Sequence, residues 1–416
     1  MTESIEKTTL DNGLRIVTEP IAGSRSAAIG AWFAVGSRDE AAERSGVSHF
    51  LEHLLFKGTE DRSARDVAEA IDGVGGDINA FTAREHTAFY ARVPATERQM
   101  AADVLFDVLR RPALRGTDVD AERQVINEEL IAAFDTPDDV VHIVLYEHLF
   151  AGHELGREVL GDAATIDSMQ PSDIDEFHQR WYGPANLVLA AAGNVDHDEL
   201  AELAQEHFGD LAMGERPARE APAALTSKVV HTAVPVEQLH VAVGWRSLGH
   251  DDPRRYALSL ANQILGGSPS SRLFQSIREE QGLAYTVFSQ TSGYSDTGSA
   301  TIYAATSAQR GNELLAALEA EMGKLVDGGV TAKELDLSRK GLEGSIVLGL
   351  EDSGSRMSRI ATGEALRNRI VSIDDFLERL NAVTIDDVNG VIRDIYGGAS
   401  VTSIVGPTPA LNLLAD

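Results

Sequence analysis

The hydrophobic pattern predicts that two segments of the chain each open with an alternating apolar strand and continue into a Gly/Asp turn. The first segment and its turn read AAIGAWFAVGSRDEA (residues 27–41), and the second read LHVAVGWRSLGHDDP (239–253). Each is followed by an apolar helix that ends near glycine, then by another strand and a long amphipathic helix. Each half closes with a helix, a Tyr-Gly turn and an apolar strand, WYGPANLVLAAAGN in the first half and IYGGASVTSIVG in the second. The repeated order of elements predicts an internal duplication.

Between the two halves, the segment LAMGERPAREAPAALTS (211–227) replaces apolar periodicity with charge, proline and alanine. This composition is typical of an exposed linker. We therefore predict a first domain at residues 1–212, a linker at 213–227 and a second domain at 228–416. Within each half, hairpin-like strands mix with helices instead of repeating strict βαβ units. The predicted fold class is α+β, with two homologous domains that each pack a largely antiparallel sheet against helices.

Composition restricts the chemistry that the chain can perform. None of the 416 residues is cysteine, so disulfides, thiolate zinc sites and cysteine nucleophiles are excluded, and a metal would need His, Asp or Glu. The 36 basic and 65 acidic residues give a net charge of −29, which argues against nucleic acid or an anionic membrane as a partner. We interpret the charge as a solvated acidic surface. A surface that selects basic ligands stays a hypothesis.

The chain also shows no sign of membrane insertion or export. No window offers the roughly 18 consecutive apolar residues of a membrane span. The opening MTESIEKTTLDNG is too polar for a secretory signal and is unlike the Arg-rich, acid-poor start of a transit peptide. These features predict a bacterial-type cytoplasmic protein, and a processed precursor is the alternative that would show the same features.

The segment GVSHFLEHLLFKGT contains the chemically most informative pattern. His49 and His53 stand at positions i and i+4 of a predicted helix, so both imidazoles lie on one face and can share one zinc ion. Glu52 lies on the adjoining flank. A catalytic zinc site uses three protein ligands and a water whose pKa the metal lowers, and Glu52 is placed to take the proton of that water. The pattern is the inverted HxxEH motif of zinc peptidases.

A third metal ligand is expected on a second helix, and the segment TDVDAERQVINEELIAAFDTPDD provides candidates. Glu122, Val125 and Glu129 form one stripe of this helix at spacings of three and four residues. Glu128 points about 100° away from Glu129, so only one of the two can face the metal. The spacing alone leaves open which of them does.

Three segments, HFLEHLLFKGT, NAFTAREHTAFY and ERQVINEEL, together resemble the insulinase (pitrilysin) family of zinc peptidases, particularly its processing-peptidase branch. The resemblance runs through nearly the whole chain. It implies that His49, His53 and Glu129 hold one Zn²⁺ per chain and that Glu122 supports activity. Orientation of a His ligand is a physical role that fits Glu122, and an exposed helix charge is the alternative that the sequence leaves open. Glu128 stays the alternative third ligand.

The resemblance also implies residues that contact the substrate. Asn79, Ala80, Phe81 and Thr82 begin an alternating strand, and in the family this strand binds an extended peptide through its backbone. In the second half, Arg278 and Tyr285 match a pair that binds substrate carbonyls and stabilises the oxyanion.

The second half does not repeat the metal site, since alignment of LLFKG (54–58) with QILGG (263–267) places the motif opposite Leu258, Ala261 and Asn262. In the family, the Arg/Tyr segment comes from the opposing half of a clamshell, which in chains of this length implies a second subunit. Because this chain carries both signatures, a homodimer would suffice.

These patterns predict a zinc-dependent metalloendopeptidase that cleaves unfolded or extended peptides, or targeting segments, by metal-activated water, with Glu52 as the base. A different interpretation is a noncatalytic scaffold or partner subunit of the same fold. Such a subunit is expected to lose zinc ligands, whereas every residue of the two signatures is present here. The residues do not reveal the natural substrate or the cleavage-site preference, and a His/His/Glu set binds several divalent ions.

Overall fold

The structure is a computed structural model that describes residues 4–407. The elements of the first half, in chain order, are β1 (Glu6–Thr9), β2 (Arg15–Pro20), β3 (Ser26–Phe33), α1 (Val47–Leu55), α2 (Ala64–Asp72), β4 (Asp77–Thr82), β5 (Thr87–Pro94), α3 (Arg98–Arg110), α4 (Gly116–Asp135), α5 (Pro137–Leu149), α6 (Ala163–Ser168), α7 (Pro171–Trp181), β6 (Leu187–Gly193) and α8 (His197–Phe208).

The elements of the second half are β7 (Lys228–Ala233), β8 (Gln238–Ser247), α9 (Arg255–Leu265), a π-helical segment (Phe274–Glu280), β9 (Thr286–Gly293), β10 (Gly298–Ser307), α10 (Gly311–Gly328), α11 (Ala332–Gly349), α12 (Ser353–Arg367), α13 (Ile373–Ala382), α14 (Ile385–Tyr396) and β11 (Ser400–Gly406). No helix among residues 4–407 is both long enough and apolar enough to cross a bilayer.

The two sheets have the same strand topology. The first sheet has the order β1-β2-β6-β3-β5-β4, and the second has the order β7-β11-β8-β10-β9. Once the extra strand β1 is set aside, each strand of the first sheet has a counterpart in the second. The pairs β2–β6 and β7–β11 are parallel, and all other neighbours are antiparallel. The predicted α+β class and the duplication of a largely antiparallel sheet are confirmed.

The chain divides into two compact units whose boundaries interleave along the sequence. The first unit comprises the residues up to Leu130, Arg157–Arg219 and Val347–Ile373, and the second comprises Ile131–Gly156, Glu220–Ile346 and the residues from Asp374 onward. Residues 131–156 and 347–373 therefore belong to the unit formed mainly by the other half of the chain. Each unit thus contains a segment from the other half of the chain. The predicted division into two contiguous domains joined at 213–227 does not include these exchanged segments.

The exchanged helices explain why central strands are apolar on both faces. In the first unit, α1, α3, α7 and α8 cover one face of the sheet, while Met357, Ile360 and Ala361 of α12 cover the other. Strand β6, with the sequence LVLAAAG, is therefore buried at every position. In the second unit, α9, α10 and α14 cover one face and α5 covers the other. A strand covered on both faces reads as a continuous apolar run instead of an alternation.

Candidate metal centre

Helix α1 carries the HxxEH motif, and its first turn is fixed by a buried carboxylate. Gly46 precedes the helix with φ of +91°, a left-handed conformation that favours glycine, and a Cβ there would approach the carbonyl oxygen of Leu160 to 2.7 Å. The side chain of Glu40 accepts hydrogen bonds from the backbone N–H groups of Gly46 and Ser48, both at 2.8 Å. These bonds occupy donors that have no partner inside the helix. They hold the chain immediately before His49.

The amphipathic pattern of α1 presents the chemical side chains away from the core. Its apolar side chains are buried, namely Val47, Phe50, Leu51, Leu54 and Leu55. His49, Glu52 and His53 are only partly buried. Burial of the apolar face therefore fixes the direction in which the two imidazoles and the carboxylate point.

The two predicted histidines and Glu129 of α4 meet at one point. The Nε2 atoms of His49 and His53 lie 3.2 Å apart, and each lies 3.6 Å from Oε2 of Glu129. Two nitrogens that bind one tetrahedral zinc ion at about 2.0–2.1 Å would lie about 3.3 Å apart. The donor set fits a zinc ion, and it is the only such His/Asp/Glu group found among residues 4–407.

Both imidazoles are prepared to act as ligands. Burial, together with the charge that His53 carries when protonated, lowers the pKa of His49 to about 4, so His49 is neutral at neutral pH. Nδ1 of His53 lies 3.0 Å from Oε2 of Glu122. Because an ionised carboxylate can only accept, this contact places the imidazole proton on Nδ1 and leaves the Nε2 lone pair facing the cluster. The buried Nδ1 of His49 has no hydrogen-bond partner in the part of the chain that the structure describes.

Glu122 is held between His53 and a cation. Its side chain is buried, and its second carboxylate oxygen forms an ion pair with Nζ of Lys57. Lys57 lies two residues beyond the end of α1, so helical spacing from the motif does not indicate that it lies near the candidate metal centre. The sequence reasoning did not assign it. Nor did it find Glu40, whose contacts with the helix start cross a loop and follow no periodicity.

The candidate base Glu52 lies in a mixed electrostatic environment. Burial raises the pKa of Glu52, and the charge of Glu129 also raises it, while a hydrogen bond from Thr82 and the charge of His53 lower it. Thr82 Oγ1 donates this bond to Oε2 of Glu52 at 2.5 Å. A carboxyl pKa above the ordinary range suits a group that must take up a proton and then release it.

Strand β4, which contains the predicted peptide-binding residues, lies at the edge of its sheet and pairs only with β5. The backbone N–H of Ala80 donates to the side-chain oxygen of Asn79 at 2.8 Å. Because β4 has a neighbouring strand on one side only, its other side has no strand partner among the described residues. Phe81 is exposed, whereas Ala80 and Thr82 are partly buried.

In the second unit, the predicted Arg/Tyr pair is in direct contact. Arg278 lies in the π-helical segment, and its guanidinium carbon stands 4.3 Å from the ring centroid of Tyr285 and 4.5 Å from that of Phe274. Tyr285 is 79% exposed, so its hydroxyl is open to solvent. Single-turn π-helices occur frequently at functional sites. The sequence did not predict that the guanidinium of Arg278 also packs against the ring of Phe274.

Comparison with protein-family models supports the predicted peptidase. Residues 15–163 match the insulinase model, described as peptidase family M16, and residues 168–342 match the model described as the peptidase M16 inactive domain. The first match contains every residue of the candidate metal centre. The second contains Arg278 and Tyr285.

Two relatives carry zinc protease names. The chain is 42% identical to an uncharacterized zinc protease of Streptomyces coelicolor, over 97% of this chain and 90% of the relative. It is 37% identical to the uncharacterized zinc protease YmxG of Bacillus subtilis, over 97% of this chain and 98% of the relative. These names support a zinc-dependent metallopeptidase.

Two solved structures share the fold. A protease from Helicobacter pylori superposes with a TM-score of 0.89 at 24% identity, covering 98% of this chain and 100% of that one. A Pseudomonas fluorescens structure described as a peptidase M16 inactive domain gives a TM-score of 0.92 at 21% identity, covering 98% and 99%. These likenesses show the fold. The family match and the 42% identical relative confirm the family predicted from the sequence: the chain belongs to the insulinase family, peptidase family M16.

Proposed function

We propose that this chain is a zinc-dependent endopeptidase that cleaves unfolded or extended peptides, with one Zn²⁺ held by His49, His53 and Glu129. The observation that carries the proposal is the convergence of these three donor atoms beside the carboxylate of Glu52. A scaffold without activity would have no need of this arrangement. The names of the relatives support the metal and the reaction class, and the geometry supports the assignment of residues.

A zinc ion held by these three residues would act as a Lewis acid, which would lower the pKa of a water molecule and polarise the carbonyl of the scissile bond. Glu52 accepts the proton of that water and then delivers it to the nitrogen of the leaving amine. Glu122 keeps the imidazole of His53 in the correct tautomer, through the 3.0 Å contact with Nδ1. Glu52 therefore carries out the proton transfers, whereas Glu122 orients the ligand His53.

The backbone of β4, from Asn79 to Thr82, binds the substrate by adding a strand at the sheet edge. The support for such pairing is the position of β4 at the edge of its sheet, where β5 is its only strand neighbour among the described residues. Pairing through the backbone requires an extended peptide and places little demand on its sequence. Folded proteins seldom expose such a segment, so unfolded chains and targeting segments are the substrate class that this edge favours.

The proposal is tested with a library of quenched fluorescent linear peptides, with bound metal quantified in parallel. We expect about one zinc per chain, cleavage that a chelator abolishes, and recovery when zinc is restored. A peptide that is cut in its linear form should be cut far more slowly when a covalent staple holds it in a helix. Cleavage that persists in chelator-treated, metal-free protein would contradict the proposal, and equal cleavage of linear and stapled forms would contradict strand addition.

Arg278 and Tyr285 are proposed to bind substrate carbonyls and to stabilise the oxyanion of the tetrahedral intermediate. The contact between the guanidinium and the Tyr285 ring orients both groups while the hydroxyl stays accessible. Loss of one donor to an oxyanion costs about 10²–10³ in rate.

The variant Tyr285→Phe keeps the ring against Arg278 and removes only the exposed hydroxyl. We expect kcat/KM to fall by about 10²-fold, the cost of one oxyanion donor. Zinc content and the unfolding temperature should be unchanged, because Tyr285 is 79% exposed. If kcat/KM is unaffected, the hydroxyl does not take part in catalysis and the pair has only a packing role.

We also propose a homodimer. In the family, the Arg/Tyr segment of chains of this length comes from a second subunit, and two copies of this chain would supply both the metal centre and the Arg/Tyr pair. Light scattering on the purified protein tests it. A fully active monomer would contradict it.

A further inference from the structure

The proposed substrate-binding role of β4 does not explain the hydrogen bond between Thr82 and Glu52. That role uses the strand backbone, whereas this contact uses the side chain of its last residue. Side chains alternate between the two faces of a strand. Ile78 and Ala80 pack against the core cluster that includes α1, so Thr82, two residues further on, lies on the same face and reaches the helix.

The carboxylate of Glu52 has little else to hold it. Burial penalises its charge, and the nearby charge of Glu129 repels it, while His53 attracts it. Thr82 is the one side-chain hydrogen-bond donor to Glu52 that the structure shows among its described residues. A hydrogen bond to an ionised acceptor is shorter and about twice as strong as a neutral one.

We propose that Thr82 is a positioning residue for the general base: its hydroxyl holds Oε2 of Glu52 and leaves Oε1 directed to the attacking water. This inference rests on the proposed peptidase function and adds a residue to it. Proton transfer needs donor and acceptor within hydrogen-bond reach, and a small misplacement of the base is costly in rate. The hydroxyl thus limits the rotation of the carboxylate without contacting the substrate.

The position of Thr82 also connects substrate binding with catalysis. Thr82 closes the edge strand β4 and faces Thr87 of β5. A peptide that pairs with the free side of β4 orders the same strand end that holds Glu52. Binding in the correct register would therefore restrain the base at the moment when it is needed.

The test compares two variants of the full-length protein, Thr82→Val and Thr82→Ser. Valine keeps the branched shape and removes the hydroxyl, whereas serine keeps the hydroxyl. We expect Thr82→Val to lower kcat by about 10-fold or more, with KM within about twofold of wild type, and Thr82→Ser to restore most of the rate. Zinc affinity, measured by competition with a chelator, should be the same in all three proteins.

Two results would overturn the assignment. An increase in KM at unchanged kcat would show that the side chain contacts substrate, and a fall in zinc affinity would show that it acts through the metal ligands. Adding Thr82→Val to Glu52→Gln tests the route directly, because a residue that acts only through Glu52 should slow the Glu52→Gln protein no further. A further loss of rate in the double variant would contradict the proposal.

A measurement on metal-free protein separates this inference from the peptidase proposal. The infrared difference between wild type and Glu52→Gln isolates the carboxylate stretch of Glu52. When the same difference is measured with Thr82→Val added to both proteins, we expect the band to shift. With Thr82→Ser added to both proteins instead, the band should lie at its original position. The band would shift even if no peptide were ever cleaved, and an unshifted band would show that Thr82 does not hold the carboxylate.

Discussion

Replacement of Glu52 by glutamine is expected to lower kcat by about 10²–10⁴-fold, the range that general acid–base catalysis contributes. The amide has nearly the shape of the carboxylate but cannot accept the proton of water. Glu52 is not among the three donor atoms that converge on the metal position. The variant should therefore keep about one zinc per chain and bind peptides with unchanged affinity.

The same substitution should not reduce stability. Because burial raises the pKa of Glu52, the fold disfavours its charged form, and this cost is present at pH values above the ordinary range for glutamate. A neutral side chain removes that cost, so the unfolding temperature at neutral pH should be equal to or higher than that of wild type. Retained metal together with undiminished cleavage by Glu52→Gln would refute the assignment of Glu52 as the base.

The features of the fold that were predictable are those that arise from local periodicity. The apolar segments within residues 27–41 and 239–253 contain strands β3 and β8, and the repeated order of elements gives two sheets of the same topology. The motif helix was predictable for the same reason, since its buried apolar side chains recur at helical spacing. The chemistry of the metal centre follows from residue types at fixed spacing.

The exchange of helices between the two units was not predictable from periodicity. The wholly buried run of β6 indicates that both faces of the first sheet are covered, but an apolar strand does not specify which helix covers it. Helix α12, more than 150 residues later in the chain, supplies the second cover through Met357 and Ile360. Such pairing depends on complementary surfaces that are far apart in sequence.

The contacts around the ligands also depend on tertiary structure. Thr82 and Glu52 are 30 residues apart and belong to a strand and a helix, so neither pattern alone relates them. The resemblance predicts that Thr82 lies on a strand that binds peptide, and the structure adds the side-chain contact with Glu52, the proposed base. The choice between Glu128 and Glu129 was predictable only in part. Helical geometry shows that only one of them can face the proposed metal position, but it does not show which one.

The adjacent glutamates of α4 provide a matched pair of variants. Glu129 lies 3.6 Å from both imidazole nitrogens, whereas Glu128 is exposed and points about 100° away. Replacement of Glu129 by glutamine removes one of three ligands and its negative charge. We expect zinc affinity to fall by more than the roughly 10–100-fold typical of an outer-shell partner, with loss of peptide cleavage at limiting zinc.

Replacement of Glu128 by glutamine makes the same chemical change one residue earlier and should leave zinc affinity and kcat at their wild-type values. Both variants lose one negative charge from the same helix, so a general electrostatic effect would act on them about equally. Zinc affinity measured by chelator competition therefore reports on coordination alone. A loss of zinc in Glu128→Gln with retention in Glu129→Gln would assign the third ligand to Glu128, and equal losses in both would show that charge, and not a defined ligand, governs metal binding.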